Sequence, residues 1–254
     1  MTYIDSHAHL SSSEVLPLIT PFIERSLAAC VTHVLNICTD PNTLEAGLDL
    51  TSRYSFIQNA GATPPHDVEK EGKEAFCIFE KAARDKKLCA IGETGLDYYY
   101  HGSAKDLQKQ YLVKYLHLAA ETQMPVIFHC REAFKDLFEI VDLEYPKQAQ
   151  AVLHCFTGDL NEAEEVLRRG WYLSLSGIVT FKKSEYLREV AKMVPLSQLL
   201  IETDTPYLAP QSQRGKMNEP SFLPEVARCI ASVKGIEVEE VARATAENAR
   251  CLFF

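Results

Sequence analysis

Short apolar runs recur along the chain, separated by longer amphipathic stretches. The runs centre on residues 3–4, 34–37, 56–60, 88–91, 126–128, 151–153, 171–175 and 199–201, which gives eight predicted strands. The stretches between them have helical character. In 106–120, Leu107, Tyr111, Lys114, Tyr115 and Leu118 trace one helical face, and 132–141, 161–169 and the final 238–249 read the same way. Strand–helix alternation in this rhythm predicts a parallel sheet with helical crossovers. Eight such units favour closure into a barrel over an open sheet.

Length agrees with that reading. A (β/α)8 TIM-type barrel takes roughly 250 residues, and the chain has 254. It is therefore expected to be one α/β barrel domain spanning 1–254, with no linker, low-complexity run or repeat. Pro206, Pro210, Pro220 and Pro224 punctuate one late loop without marking a boundary. Hydrophobic residues at 46% and charged residues at 24% are those of an ordinary core-forming chain.

The formal net charge of −9 repels nucleic acid and anionic membranes at long range. It argues against a protein that coats duplex DNA through a basic face, but not against an enzyme gripping a few phosphates through cations. The eight cysteines form no C-x-x-C pair and read as buried, reduced thiols. The N-terminal MTYIDSHAHL has no basic-then-apolar signal pattern, and no apolar run reaches the roughly 18 residues of a membrane span. These features point to a cytoplasmic enzyme with no membrane role, and no obligate protein partner is evident.

Metal-ligand residue types follow several of the apolar runs. His7 and His9 close the first, Glu93 follows the fourth, His129 the fifth, His154 the sixth and Asp204 the eighth. In a barrel these positions lie at the C-terminal face, where active sites are built, so residues distant in sequence converge. His7 and His9 are two apart and share a strand face; taken alone, the pair fits two unrelated strand histidines equally well. Asp5 continues the same period as a possible supporting group. Glu93 can bridge two cations with its two oxygens, although Asp97 could instead be the ligand with Glu93 as a helix cap. Either His129 or His154 alone would more often be a structural residue; their joint placement is what implicates them. Asp204 is a candidate ligand and general base, and Glu202 a candidate to orient a ligand from behind. His33, His66, His101 and His117 lack this placement, and His117 sits within a helical pattern.

These residues lie in motifs that resemble the TatD-type deoxyribonucleases, metal-dependent hydrolases of the amidohydrolase-like barrel group. The resemblance runs through DSHAHL, IGETGLDYY, PVIFHCREA, VLHCFTG, LIETDTPYLAP and RGKMNEP, nearly the whole chain. It implies a two-cation site on His7, His9, Glu93, His129, His154 and Asp204. It also implies cleavage of phosphodiesters by cation-activated water, with Asp204 and Glu93 as catalytic groups. Family usage favours Mg²⁺, while an imidazole-rich donor set favours Zn²⁺ or Mn²⁺. One departure is Thr63-Pro64-Pro65-His66-Asp67, where family members often carry His-Pro-His. The implied substrate is single-stranded DNA degraded from its 3′ end. The alternative is an ester or amide hydrolase on the same site, such as a D-aminoacyl-tRNA deacylase. A non-enzymatic interaction protein would not need six ligand-type residues. Arg131, Arg214 and Lys216 are candidate phosphate contacts, with solvated surface as the other reading. Tyr98–Tyr100 and His101 read as loop packing or a groove wall, and Tyr207 and Phe156 as core packing in preference to base stacking.

Overall fold

The computed structural model describes residues 1–100 and 102–254. His101, in the tyrosine-rich loop, lies outside the described residues. Eight strands form one sheet in chain order: β1 Tyr3–Ala8, β2 Val31–Cys38, β3 Ile57–Gly61, β4 Ala90–Asp97, β5 Val126–Arg131, β6 Ala151–Leu153, β7 Tyr172–Leu175 and β8 Leu199–Ile201. Every neighbouring pair is parallel. The chain just past β8 returns to β1: Asp204 N–H donates to His7 O at 2.9 Å, and His9 N–H donates to Thr205 O at 2.8 Å. The result is a nearly closed (β/α)8 barrel.

The crossovers are α1 Ile19–Ala28, α2 Pro41–Arg53, α3 Gly72–Arg84, α4 Lys105–Thr122, α5 Phe134–Glu144, α6 Leu160–Arg168 and α7 Glu185–Met193, followed by α8 Leu223–Lys234 and α9 Val238–Phe253. Their starts follow from local chemistry. Asp40 accepts from the N–H groups of Asn42 and Thr43 at 2.8 and 2.9 Å and so caps α2. Asp159 and Glu162 form a reciprocal capping box on α6. None of the helices among the described residues is long and apolar enough to cross a membrane.

Two apolar layers result. The larger lies between sheet and helices. The smaller fills the barrel: Ile4, Leu35, Ile37, Ala60, Ala90, Ile127, Val152 and Leu200 point inward and meet Ala246, Ala249, Leu252 and Phe253 of α9. The chain end of α9 closes the end where the strands start, with Asn248 donating to Leu196 O and Leu199 O and Phe254 against His33, and the opposite mouth is left for polar residues. Each such leucine or phenylalanine contributes about 1.5–3 kcal/mol through burial.

The cysteines depart in part from expectation. All eight are free thiols, but Cys30, Cys77 and Cys251 are exposed: Cys30 lies in the turn between α1 and β2, and Cys77 and Cys251 on the outer faces of α3 and α9.

Candidate metal centre

Two bulges aim ligand-type side chains into the barrel mouth. Ile4 faces the barrel interior, whereas Ala8 packs in the outer layer. Between them β1 takes three steps from Asp5 to Ala8 while β2 takes two from Val34 to Asn36. The extra residue switches the facing side, so His7 and His9 turn inward although Asp5 does not. The expectation that Asp5 shares their face is thereby corrected. Its carboxylate instead accepts from the Thr203 N–H at 2.9 Å and the Thr203 hydroxyl at 2.6 Å, tying β1 to the segment after β8. Burial pushes the Asp5 carboxyl up to about 7.

The second bulge centres on Glu93. From Gly92 to Thr94, β4 takes two steps against one on β5. Glu93 therefore lies within a strand that continues to Asp97, where the apolar pattern had placed it just after a strand ending at 91. Glycine is required nearby: at Gly95 (φ +149°) any Cβ would collide with the carbonyl oxygen of His129. That close approach sets β4 against β5 beside the site.

The side chains meet as two overlapping groups. His7, His9 and Asp204 bring donor atoms within 4.8 Å of one another, as do Glu93, His129 and His154. His9 Nε2 is 3.4 Å and His7 Nε2 3.7 Å from Asp204 Oδ1. Glu93 Oε2 joins the groups, 3.4 Å from His7 Nε2, 2.9 Å from His154 Nε2 and 4.0 Å from His129 Nδ1. The His7 and His154 rings stack, with centroids 3.8 Å apart. All six sequence-predicted ligand positions are thus brought together.

Buried carboxylates behind the histidines orient them. Asp97 Oδ2 lies 2.8 Å from His129 Nε2, which turns Nδ1 toward Glu93. The other Asp97 oxygen accepts from the N–H groups of Tyr99 and Tyr100 at 2.9 and 2.8 Å. Asp97 therefore backs a candidate ligand, His129, and is not itself in the group. Glu202 Oε1 accepts from Cys155 N–H at 2.7 Å and sits 3.4 Å from His154 Nδ1. Asn218, in the RGKMNEP motif, has no sequence-level signal beyond its motif. Its buried amide donates to Thr203 O and Tyr207 O, each at 2.7 Å, and clamps the turn carrying Asp204. Asp204 itself adopts φ +61°, a conformation that costs free energy outside glycine and is sustained by this clamp.

Electrostatics suit cation binding. Burial, then the neighbouring His154, lowers His7 to about 4, so it is neutral and able to ligate. Both His7 ring nitrogens and Glu202 Oε2 are buried without a hydrogen-bond partner. Burial pushes the Glu93 carboxyl up, but the imidazoles of His154 and His7 outweigh it and hold it well below the usual range. No lysine or arginine pairs with Glu93 or Asp204 among the described residues. Buried anions without a lysine or arginine partner, and orphaned imidazole nitrogens, are what a bound metal would resolve. The donor set fits divalent cations.

The group opens into a cavity of about 1150 Å³. Arg131 lines it, with its guanidinium carbon 3.6 Å from the Tyr99 ring centroid. Arg214 and Lys216 lie elsewhere: Arg214 stacks on Phe181 and Lys216 bonds Gln213, both exposed and outside the lining. His66 stands in the wall, its ring 6.1 Å from that of His129. Tyr207 is also there and half exposed, contrary to the core role expected of it, whereas Phe156 is buried against Phe134. His117 is an exposed helical residue 3.0 Å from Glu144.

Comparison with known proteins agrees with this geometry. The family model described as TatD related DNase matches residues 4–254. The chain is 37% identical over 249 residues to an uncharacterized metal-dependent hydrolase, YabD, of Bacillus subtilis, with 98% of each covered. It is 32% identical over 255 residues to the 3′-5′ ssDNA/RNA exonuclease TatD of Erwinia tasmaniensis, again with 98% of each covered. The crystal structure of YjjV, a TatD homolog from Escherichia coli K12, superposes with a TM-score of 0.93 at 26% identity, covering 99% of this chain and 97% of that one.

Proposed function

We propose a phosphodiester-cleaving reaction, 3′-to-5′ removal of nucleotides from single-stranded DNA, for this chain, which belongs to the TatD related DNase family and is a metal-dependent hydrolase. The reading rests on one observation above others: six ligand-type side chains, on or just past β1, β4, β5, β6 and β8, converge with no lysine or arginine among them, five of them lining one open cavity and His7 buried beneath it. The Erwinia relative's named activity supports the choice of substrate.

His7, His9 and Asp204 would hold one cation and His129 and His154 a second, with Glu93 between them. Such cations, Mg²⁺ or Mn²⁺ with Zn²⁺ as the alternative, supply Lewis acidity toward a phosphoryl oxygen and bring the pKa of water toward neutrality. Asp204 accepts the proton of the attacking water on a carboxylate oxygen. As the new O–P bond forms, the bond from phosphorus to the leaving oxygen breaks, and that oxygen takes up the proton that Asp204 accepted, which returns the carboxylate to its starting state. Glu93 stays ionised through its contacts with His154 and His7 and keeps the two ligand groups in register. Arg131, fixed against Tyr99, holds a non-bridging phosphate oxygen. Arg214 and Lys216 are outside the cavity lining and take no part in this step.

The test incubates chelated protein with labelled single-stranded DNA, RNA and a D-aminoacyl-tRNA after adding Mg²⁺, Mn²⁺ or Zn²⁺. Shortening of DNA from its 3′ end, lost in Asp204→Ala and Glu93→Ala, is expected. DNA cleavage that survives in both variants sinks the mechanism, and ester release from the tRNA with inert DNA replaces the substrate.

A further inference from the structure

The cavity wall is poorly suited to gripping a polyanion by charge. Among the described residues that line it, Arg131 is the one arginine or lysine, set against Asp67, Glu132, Asp159 and Glu162. A strand tracked along its phosphates by protein cations would need a row of them. What the wall does present is aromatic surface. Tyr207 is 51% exposed, and its ring stands 5.9 Å from that of His9, at the Asp204 end of the ligand group. Tyr100 is 53% exposed, and its ring stands 6.2 Å from that of His66, which in turn faces His129 at the other end.

Both residues are anchored through their backbones. The Tyr207 backbone is fixed by N–H donation to Asp204 O at 2.8 Å and by the Asn218 amide on its carbonyl at 2.7 Å. The Tyr100 N–H is fixed on Asp97 at 2.8 Å, the carboxylate that also orients His129. Each platform is therefore tied to the support of a ligand residue, and its distance from the reacting phosphate is built into the fold. Half-exposed aromatic rings beside a reactive centre, one of them with the Arg131 guanidinium carbon 4.9 Å from its centroid, are suited to receive flat partners.

We infer that Tyr207 and Tyr100 are two nucleobase-stacking platforms, one on each side of the scissile phosphodiester, which select unpaired nucleosides by their faces instead of by charge along the backbone. The inference rests on the nuclease reading above. Stacking tolerates every base, since each has a π-face, and requires a strand whose bases are free. A duplex keeps its faces stacked and so offers the platforms nothing. With one protein cation at the phosphates, log KM should rise with log salt with a slope of only about 0.7, the single-strand value for one phosphate contact.

The test uses the Mn²⁺-loaded protein, a labelled single strand, and the same strand with an abasic tetrahydrofuran residue at its last or next-to-last position. Tyr207→Ala and Tyr100→Ala should each raise KM by about 5- to 150-fold with kcat little changed, the range that removal of a stacking ring produces. Tyr207→Phe and Tyr100→Phe should restore KM. An abasic residue at one position should erase the defect of one alanine variant and leave the other's intact. Alanine variants with wild-type KM, or defects that persist in full on both abasic strands, overturn the stacking inference while wild-type cleavage keeps the nuclease reading. A wild-type protein that cleaves no oligonucleotide with any of the cations overturns both.

Discussion

Asp97 Oδ2 lies 2.8 Å from His129 Nε2, and this contact decides which nitrogen of His129 faces the ligand group. A carboxylate behind a metal-binding imidazole fixes its tautomer and orientation, and its loss commonly lowers metal affinity 10- to 100-fold. Asp97→Asn keeps the shape and removes the charge. Its Mn²⁺ dissociation constant, measured by calorimetry, should rise by about that factor while the melting temperature of the metal-free protein changes little. A wild-type dissociation constant would show that His129 needs no such support.

The metal-free centre should respond to pH in a definite direction. Burial pushes His154 down, but Glu202 and Glu93 outweigh it and hold it well above 6.5. A raised histidine contributes stability that is present below 6.5 and lost as pH rises through its folded value. Glu93, held well below 4.5, contributes stability that is present above 4.5 and lost as pH falls through its folded value. Both contributions are complete between those limits, so the metal-free melting temperature should fall as pH is raised past 6.5. A cation must displace the His154 proton, so Mn²⁺ affinity should rise with pH by up to about tenfold per unit for each proton released. Calorimetry at pH 6, 7 and 8 checks this, and a flat dissociation constant would contradict it.

Asn218 tests whether the turn after β8 is held from outside. Asn218→Ala leaves Thr203 O and Tyr207 O without their donor. Orphaning buried carbonyls costs about 1–3 kcal/mol each. Urea unfolding should show a loss of about 2–6 kcal/mol for the two carbonyls, together with weakened Mn²⁺ binding, because Asp204 no longer has its φ +61° turn clamped. Equal loss of stability with unchanged metal affinity would make the clamp structural only.

The sequence carried the strand order because parallel strands buried on both faces read as plain apolar runs, as in Ala151–Leu153 and Leu199–Ile201. It carried the meeting of the six candidate ligand side chains because barrel topology places strand ends together. The face-switch in β1 was not legible: a bulge is set by pairing with Val34 and Asn36, which no local period records. Glu93 lying mid-strand was hidden for the same reason. The support roles of Asp97 and Asn218 depend on contacts made across β5 and across the final loop. Arg214 and Lys216 look like phosphate contacts in sequence, but the path of an irregular loop is not written in periodicity, and that loop carries them away from the cavity. Tyr207 looked like core because an aromatic beside apolar residues usually is; its exposure follows from the turn that Asn218 holds.

Two divalent cations on this ligand group are the premise of the chemistry proposed above. Purified protein stripped with chelator and titrated with Mn²⁺ should bind two equivalents, with Glu93→Ala reduced below two and His7→Ala or His154→Ala each losing affinity. Binding of no cation at saturating Mn²⁺, or full binding by Glu93→Ala, would contradict it.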